Sequence, residues 1–425
     1  MTPRSELVTP GLCRTLVLSA VLCSAMPATG DELVPGLPLS GSLRGGYWSA
    51  SRDLDGREHL GTSALWLKAQ PRLGEHASLL LEGWLMNEDL QAKRTDGILR
   101  EAYLALRLGP VDVRLGRQII AWGRADRINP TDNLTPRDFT LLVTDDDDQR
   151  RGTTSIRAGA VIGDVALTAV WLPEFIPDTI PIRPLGPGVR LRERLPGQPA
   201  GQWALKVEQT GKVGEWSVSY FDGFDLRPDL AVDRIQPSGA DLLLRHHRVR
   251  IVGADAATTI DRFGLRGEAA YTRTDDVEGD DPRVKNPFLF MVVGVEREVL
   301  ESLNVTVQYL LRWVFDHRSP FAIADPVTRQ VAIEAATVSR EVDAVQHGVA
   351  VRVSHRWLHD TLEGEMAMVV GITRFEYALR PKVTYAFTDR LRGTIGGDLF
   401  NGNRHSFFGY LRRASGAYAE LRWSF

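Results

Sequence analysis

The last nine residues, "AYAELRWSF" (Ala417–Phe425), decide the fold class of this chain. Side chains of a β-strand point alternately to its two faces. One face of this segment carries Ala417, Ala419, Leu421, Trp423 and Phe425, and the other carries Tyr418, Glu420, Arg422 and Ser424. The first face is apolar and the second is polar and charged, which predicts a strand with one side in an apolar environment.

The same alternation recurs along the chain, for instance in "RPKVTYAF" (Arg380–Phe387) and "NVTVQYLLRW" (Asn304–Trp313). Segments of about ten alternating residues separated by turns are typical of transmembrane β-barrels. The links between them alternate between very short and long, as periplasmic turns and extracellular loops do. Following the links along the chain predicts an all-β, antiparallel transmembrane barrel of about 18 strands.

A soluble β-sandwich would show the same alternation, so other features must decide between the two. Arg and Glu lie in mid-strand on the polar face, where a solid core would leave them unpaired at a cost of several kcal/mol. Aromatic residues near strand ends on the apolar face are typical of a membrane-interface girdle. These residues are Trp66, Trp171, Trp203, Trp216, Tyr271, Trp313, Tyr385 and Trp423.

The first thirty residues predict a cleaved signal peptide. They contain Arg4 and Arg14, an apolar run from Leu16 to Leu22 that is too short to span a bilayer, and small residues near Gly30. Residues 31–425 then form one barrel domain. A net charge of -3 with 25% charged residues argues against a nucleic-acid partner.

Two long stretches carry a family resemblance. "LREAYLALRLGPVDVRLGRQIIAWGRADRINPTDNLTPRDF" (Leu99–Phe139) and "GDLFNGNRHSFFGYLRRASGAYAELRWSF" (Gly397–Phe425) resemble the alginate-export-like family of bacterial outer-membrane barrels and its uncharacterised porin relatives. The resemblance implies a location in outer-membrane lipid of a Gram-negative bacterium. It also implies that Phe425 belongs to the signal read by the barrel-assembly machinery, and that periplasmic export components are possible partners.

The polar face of each strand predicts what lines the lumen. The basic candidates are Arg107, Arg114, Arg157, Lys206, Arg248, Arg250, Arg266, Arg312, Arg352, Arg380, Lys382, Arg392 and Arg422. The acidic candidates are fewer: Glu101, Asp112, Glu208, Glu268, Glu296, Glu363, Glu365, Asp398 and Glu420. Rings of Arg or Lys favour anions in a pore. The alternative is that Arg and Glu pair across neighbouring strands and only fill a wet interior.

The segment between a strand ending near Gln118 and one beginning near Thr153 is a single outer loop of about 34 residues, and loops this long are usually functional or disordered. Its prolines and apolar residues predict a fixed fold, so we expect residues 119–152 to enter the barrel mouth as a constriction. The candidates that would line it are Arg117, Arg124, Asp126, Arg127, Asp132, Arg137 and Asp138. Alternatively, these residues tie the loop to the wall by ion pairs without touching solute.

The sequence therefore predicts an outer-membrane channel for polar, preferentially anionic solutes, with polysaccharide export as the extension that the resemblance implies. A small-solute uptake porin, a plugged structural barrel and a barrel enzyme remain alternatives. No catalytic arrangement or cofactor is expected. The acidic run Asp145 to Asp148 lacks the EF-hand pattern, so a solvated acidic loop is predicted there instead of a calcium site.

Overall fold

The computed structural model describes residues 38–50, 58–87, 96–181, 187–197, 201–236 and 239–425. Within them, 18 strands form one closed antiparallel barrel, which confirms the predicted fold class and strand number. The signal peptide predicted for residues 1–30 lies outside the described residues.

Twenty-one strands are described, and the order along the chain is simple. They are β1 Leu39–Ala50, β2 His59–Ala69, β3 Ala77–Asn87, β4 Asp96–Leu108, β5 Val111–Gln118, β6 Thr153–Ile162, β7 Val165–Leu172, β8 Val189–Arg194, β9 Gln202–Thr210, β10 Glu215–Phe224, β11 Asp229–Gln236, β12 Gly239–Arg245, β13 Arg248–Ile260, β14 Phe263–Arg273, β15 Phe288–Leu300, β16 Leu303–Val314, β17 Val345–Trp357, β18 Leu362–Gly371, β19 Glu376–Ala386, β20 Leu391–Gly402 and β21 Gly416–Ser424. All but β8, β11 and β12 belong to the barrel.

The barrel closes where the first strand meets the last. β1 pairs antiparallel with β21. Beyond the end of β21, the backbone N–H of Phe425 donates to the Gly41 carbonyl at 3.0 Å, and the Gly41 N–H donates to the Phe425 carbonyl at 2.9 Å. A side chain at position 41 would collide with the Phe425 ring, which explains the glycine there. The role of Phe425 as an assembly signal stays a prediction.

The outer surface of the barrel is apolar, as a bilayer requires. Trp171, Trp203 and Trp313 are each 39–48% exposed on this surface, among many exposed Leu and Val side chains. One member of the predicted girdle was assigned to the wrong face. Trp66 points inward, where its indole N–H donates to Glu82 at 3.1 Å beside the ring of Trp84.

The connections on one side are tight turns, such as residues 109–110 and 163–164, and most of those on the other side are long. By the rule for this class, the short side is periplasmic. One outer connection, residues 372–375, is as short as a turn. None of the helices in the described part of the chain is long and apolar enough to cross a membrane.

The long outer connections carry their own structure. β8 pairs parallel with β12, and β12 pairs antiparallel with β11. A helix, α1 (Pro326–Ser339), lies in the connection between β16 and β17 and contacts β11. A second helix, α2 (Phe407–Tyr410), lies between β20 and β21. The outer mouth is therefore partly covered by a layer of loops.

Candidate functional site

The longest connection between described barrel strands is residues 119–152, which we call the lumen loop. β5 ends at Gln118 and β6 begins at Thr153. Ile120, Trp122 and Leu134 of the lumen loop are buried in one apolar cluster with residues of the barrel wall. The wall members of that cluster are Val170, Leu172, Ala204, Phe221, Val249, Ile251 and Ala270. The lumen loop therefore folds into the barrel and fills part of its interior.

A single buried carboxylate on β14 holds the backbone of the lumen loop. Glu268 is 2% exposed. It accepts hydrogen bonds from the backbone N–H groups of Arg124 at 2.9 Å, Ala125 at 3.0 Å and Thr131 at 2.7 Å, and from the Thr131 hydroxyl at 2.8 Å. Gly123 has a φ of 99°, and a Cβ there would lie 2.6 Å from the Glu268 carboxylate. Only glycine fits this approach, so the loop conformation and the carboxylate specify each other.

Arg124 ties the lumen loop to three further strands. Its guanidinium pairs with Glu208 on β9 and Asp255 on β13, both at 2.6 Å, and with Glu215 on β10. Burial alone would lower the pKa of Arg124, but the hydrogen bond to Asp255 and the charges of the carboxylates outweigh it and raise the pKa. Arg124 is thus saturated by protein carboxylates, which leaves it little capacity to bind a solute.

The next residues of the lumen loop reach a different part of the wall. Arg127, which has a φ of 63°, pairs with Glu365 on β18 and lies 3.5 Å from Asp146 within the loop. Asp126 lies 3.6 Å from Arg352 on β17, which also pairs with Glu365 at 2.7 Å. Together with Arg124, these contacts hold the lumen loop to both β9–β14 and β17–β18.

The acidic run Asp145–Asp148 is also inside the barrel. Asp145 lies 3.3 Å from Lys382 and 3.7 Å from Arg422, and Asp146 lies 2.7 Å from Arg380. Asp148 pairs with Arg44 on β1 at 2.7 Å and lies 3.6 Å from Arg100 on β4.

The prediction of a solvated acidic loop was therefore wrong for Asp145, Asp146 and Asp148, which pair with the wall, whereas the Asp147 side chain is 83% exposed. Burial would raise the pKa of Asp146, but the neighbouring cations, Arg380 first, outweigh burial and lower the pKa. The acidic run neutralises inward-facing basic residues of β19, β21 and β1. Two of these residues also have a partner on the wall itself, since Arg380 pairs with Asp398 on β20 at 2.5 Å and Lys382 lies 4.0 Å from Glu365.

Other predicted constriction residues hold the lumen loop to itself. Asp132 pairs with Arg150 at 2.6 Å and with Arg137 at 3.3 Å. Asp138 is 2% exposed and pairs with Arg151. Their role in the described structure is to fix the shape of the loop, and contact of these residues with a solute stays a prediction.

One part of the wall carries basic residues that have no carboxylate of the lumen loop within ion-pair distance, and we call it uncovered in that sense. Arg114 on β5 and Arg157 on β6 are directly opposite each other in the strand ladder. Within the described residues neither forms an ion pair, and the Nε of Arg157 is buried without a hydrogen-bond partner. The Arg114 guanidinium lies 5.2 Å from the centre of the Tyr103 ring on β4. Like charges in opposed positions repel, so this pair is a site that an anion would stabilise.

Six remaining candidates have varied surroundings. Arg107 lies 3.6 Å from Asp112 with both side chains exposed, and Lys206 pairs with Glu208 at 2.8 Å. Arg266 faces inward and pairs with Glu296 at 2.8 Å, and Arg312 lies 3.4 Å from Glu341 of the outer loop before β17. Arg392 is in register with Arg422 and forms no ion pair within the described residues. Arg117 lies beside the irregular residue Gly116, and its buried Nε has no hydrogen-bond partner in the described part of the chain.

Arg248 and Arg250 were wrongly predicted to face the lumen. On β13 the buried inward residues are Val249, Ile251 and Asp255, which leaves the even-numbered residues on the outer face with the exposed Val252. The reason is the apolar cluster under the lumen loop. The lumen is filled with side chains at this height, so the inward positions are apolar and the charged positions point outward.

The sequence placed Glu208, Glu268 and Glu365 on the lumen face but did not predict that they anchor the lumen loop. Asp255, Arg44 and Arg100 were not predicted at all. The available signal was an acidic residue at an inward position in mid-strand, which a solid or apolar interior would not tolerate without partners. That signal indicates a partner but does not say which residue supplies it.

No protein-family model matches the sequence, and no curated protein matches it. Solved structures match the fold over nearly the whole chain. OccK3 (OpdO) of Pseudomonas aeruginosa is 11% identical, with a TM-score of 0.56 over 92% of this chain and 96% of that one. OccK2 (OpdF) of the same species, solved in complex with glucuronate, is 11% identical, with a TM-score of 0.55 over 93% and 99%. OccAB4 of Acinetobacter baumannii is 8% identical, with a TM-score of 0.54 over 91% and 97%.

At such low identity the likeness concerns the fold, which is that of outer-membrane β-barrel porins. The closed 18-stranded barrel with its apolar outer surface belongs in the outer membrane of a Gram-negative bacterium, as predicted. That this barrel is a channel stays a prediction. The specific resemblance to alginate exporters gains no support from the neighbouring structures.

Proposed function

We propose that this barrel is an uptake channel for small anionic solutes, with carboxylates such as sugar acids as the substrate class. The observation that carries the proposal is the uncovered pair of Arg114 and Arg157 on neighbouring strands of the lumen wall. Most other inward-facing arginines already have a protein carboxylate within ion-pair distance, whereas this pair has none among the described residues. A solute carboxylate placed between the two guanidinium groups would supply the missing charge.

The surroundings of the pair favour an anion in transit over a tightly held one. Thr168 and Lys206 lie on adjacent strands further along the same wall, and Lys206 is neutralised by Glu208 at 2.8 Å. Conduction requires an anion to be held strongly enough to enter the site and weakly enough to leave it, and two cations with no protein carboxylate beside them can supply such a site. The neighbour OccK2 was solved with glucuronate, a carboxylate sugar of the size that we propose.

Polysaccharide export, the other extension of the sequence prediction, is less compatible with the lumen loop. A polymer would need a continuous wide lumen. Here the loop is held to β14 by Glu268, to β18 by Arg127 and to β19 by Asp146. A small solute needs only a gap beside the loop, whereas a chain of sugars would require release of the loop. We therefore favour uptake of small solutes.

The test is conductance of the refolded barrel in a planar bilayer. We expect anion selectivity in a salt gradient and block of the current by millimolar glucuronate but not by a neutral hexose. The double variant Arg114→Ala/Arg157→Ala should bind glucuronate at least about tenfold more weakly, because a hydrogen bond to a charged group contributes about 1.5–3 kcal/mol.

The matched control is Arg297→Ala. Arg297 faces outward near the periplasmic end of β15 and packs on the Phe263 ring, so its removal leaves the lumen charges unchanged. Loss of block in the double variant alone supports the proposal. A cation-selective or closed barrel overturns it, as does block by glucuronate that the double variant leaves intact. Block by long uronate polymers but not by the monomer would return the proposal to export, and turnover of a lipid or glycan would indicate an enzyme.

A further inference from the structure

The outer face of the barrel carries an unusual row of residues at the extracellular ends of five neighbouring strands. Trp171, Trp203, Asp222, Arg250 and Arg273 are in register on β7, β9, β10, β13 and β14. Two indoles are therefore followed around the surface by one carboxylate and two guanidinium groups. Arg248, two residues from Arg250, extends the basic part of the row, and we call these three arginines and Asp222 the outer arginine patch.

The outer arginine patch faces away from the lumen. Arg250 has the parity of Val252, which is 50% exposed, and Arg273 has the parity of Tyr271, which is 39% exposed. The residues between them in sequence, such as Ile251 and Thr272, are buried inside. Solute in the lumen cannot reach these guanidinium groups, so they have no part in the proposed channel function.

The charges of the patch do not balance within the protein. Asp222 is the only carboxylate that pairs with these arginines among the described residues. It lies 2.5 Å from Arg248 and 3.3 Å from Arg250, and its own side chain is 11% exposed. Arg273 is exposed and has no hydrogen-bond or ion-pair partner in the described part of the chain. The patch therefore has three cations and one anion.

The geometry of the patch makes the imbalance costly without a ligand. Arg250 and Arg273 are directly opposite each other in the ladder between β13 and β14. Side chains at such positions have Cβ atoms about 4.5–5.5 Å apart, and like charges there are destabilising. An anion that contacts both guanidinium groups would remove the repulsion, and a phosphate matches the planar, forked donors of arginine.

The height of the patch identifies the source of the anion. β13 begins and β10 and β14 end at this level, and Trp171 and Trp203 lie in the same row. Exposed tryptophans mark the level of lipid headgroups in membrane proteins. Charged side chains on the lipid face cost little at that depth, so the arginines are tolerated there. The patch therefore faces the headgroups of the outer leaflet.

We propose that the outer arginine patch binds the phosphate groups of a phosphorylated glycolipid of lipid A type in the outer leaflet of the outer membrane. Arg250 and Arg273 contact one phosphate together, and Arg248 is held by Asp222 at the edge of the site. The neighbouring tryptophans pack against the sugar and the upper parts of the acyl chains. This inference does not depend on the solute that the channel conducts.

The test is native mass spectrometry of the full refolded barrel in detergent with added bisphosphorylated lipid A. The second arm uses the same lipid after removal of its phosphates. We expect retention of bisphosphorylated lipid A and at least about tenfold weaker retention of the dephosphorylated lipid. The double variant Arg250→Ala/Arg273→Ala should lose the same factor for the phosphorylated lipid, whereas Arg250→Lys/Arg273→Lys should keep part of the binding because lysine provides charge without the fork.

The matched control is again Arg297→Ala, which removes an outward arginine at the opposite end of the barrel. Folding of every variant is checked by its heat-dependent shift on a denaturing gel, and the lysine variant gives a reading if the alanine variant does not fold. Equal retention of phosphorylated and dephosphorylated lipid overturns the proposal. Equal losses in Arg297→Ala and in the patch variants, or unchanged binding in both patch variants, overturn it too.

Discussion

The two basic walls of the lumen differ in what faces them. On β19, β21 and β1, the cations Arg380, Lys382, Arg422 and Arg44 are opposed by the acidic run of the lumen loop. On β5 and β6, Arg114 and Arg157 are opposed by no described carboxylate at ion-pair distance. Both walls show the same pattern in sequence, a basic residue at an inward position. An inward arginine therefore has a structural partner where the loop or a neighbouring strand brings a carboxylate, and it is available to the proposed solute where neither does.

This difference gives the lumen an asymmetry. The covered wall uses its cations to hold the lumen loop, and the uncovered wall keeps its cations for the proposed solute. The acidic run occupies on one wall the positions that a solute carboxylate would occupy on the other. Three kinds of variant should therefore change conduction, in decreasing order of effect. They remove the Glu268 carboxylate that holds the lumen loop, the carboxylates of the acidic run, and the single carboxylate of Glu341 at the outer mouth.

The largest change should come from Glu268→Gln, which releases the lumen loop from the wall and so removes the difference between the two walls. The glutamine offers one acceptor oxygen to five donors, and its amide N–H groups face backbone N–H groups. Loss of buried hydrogen bonds to a charge should destabilise the seated loop by on the order of 3 kcal/mol. We expect a several-fold rise in single-channel conductance and a weaker dependence on the charges of either wall.

The control for this variant is Glu296→Gln on β15. Glu296 also faces inward, but its side chain is 41% exposed and it pairs with Arg266 and not with the lumen loop. Its conductance should remain near that of the wild type. An unchanged conductance in Glu268→Gln would mean that the lumen loop does not limit the pore.

A smaller change should follow from the triple variant Asp145→Asn/Asp146→Asn/Asp148→Asn, which makes the covered wall resemble the uncovered one. Removing three carboxylates breaks the ion pairs of the loop with Arg44, Arg380, Lys382 and Arg422 at 2.7–3.7 Å, while Arg380 keeps its second partner, Asp398 on β20, at 2.5 Å. The ratio of anion to cation permeability, measured from reversal potentials in a salt gradient, should rise by about threefold or more.

The matched control is Asp147→Asn in the same run. The Asp147 side chain is 83% exposed and pairs with Arg150 within the loop, not with the wall. Its permeability ratio should change little. If the triple variant and the control shift the ratio equally, the acidic run acts only through its bulk charge and does not cover specific wall residues.

The smallest change is a pH effect at the outer mouth, where the Glu341 carboxylate forms an ion pair with the Arg312 guanidinium at 3.4 Å. Burial raises the pKa of Glu341 to about 7, although Arg312 opposes the shift. The folded protein therefore holds this proton more tightly than the unfolded chain, so its contribution to stability is complete below about pH 4.5 and is lost as the pH rises through about 7.

Protonation of Glu341 also removes the negative charge beside Arg312, so anion selectivity should rise modestly as the pH is lowered from 8 to 6. The variant Glu341→Gln cannot ionise, and its selectivity should lack this part of the pH dependence. The measurement is the difference between wild type and variant in reversal potential at the two pH values. An identical pH dependence in the two proteins would exclude Glu341 as the group whose ionisation changes the selectivity.

The sequence predicted the barrel well because strand alternation is a local property. The strand count and the ends of β5 and β6 follow from the period of two and from turn residues. The alternation also places Arg114 and Arg157 correctly on the lumen face.

The rule that polar residues face inward failed where the lumen is not wet. Under the lumen loop, Val249 and Ile251 face inward because Ile120 and Trp122 cover them, so Arg248 was assigned to the wrong side. The sequence also could not predict which inward arginines have a carboxylate partner. The pairs that decide it join residues far apart in the chain, and nothing in a local pattern specifies them.

The lumen loop has a consequence for the order in which the molecule is assembled. Thr131 finds Glu268 across 137 positions of sequence, and Thr144 donates to Glu420 across 276. Contacts of such long range form slowly because a large loop must first be closed. Glu420 belongs to the last strand, so the loop cannot be fully seated until the whole chain has been inserted and the seam between β1 and β21 is in place. The interior narrowed by the lumen loop is thus a late product of biogenesis. It is preceded by a barrel whose wall is complete but whose lumen loop is not yet fully seated.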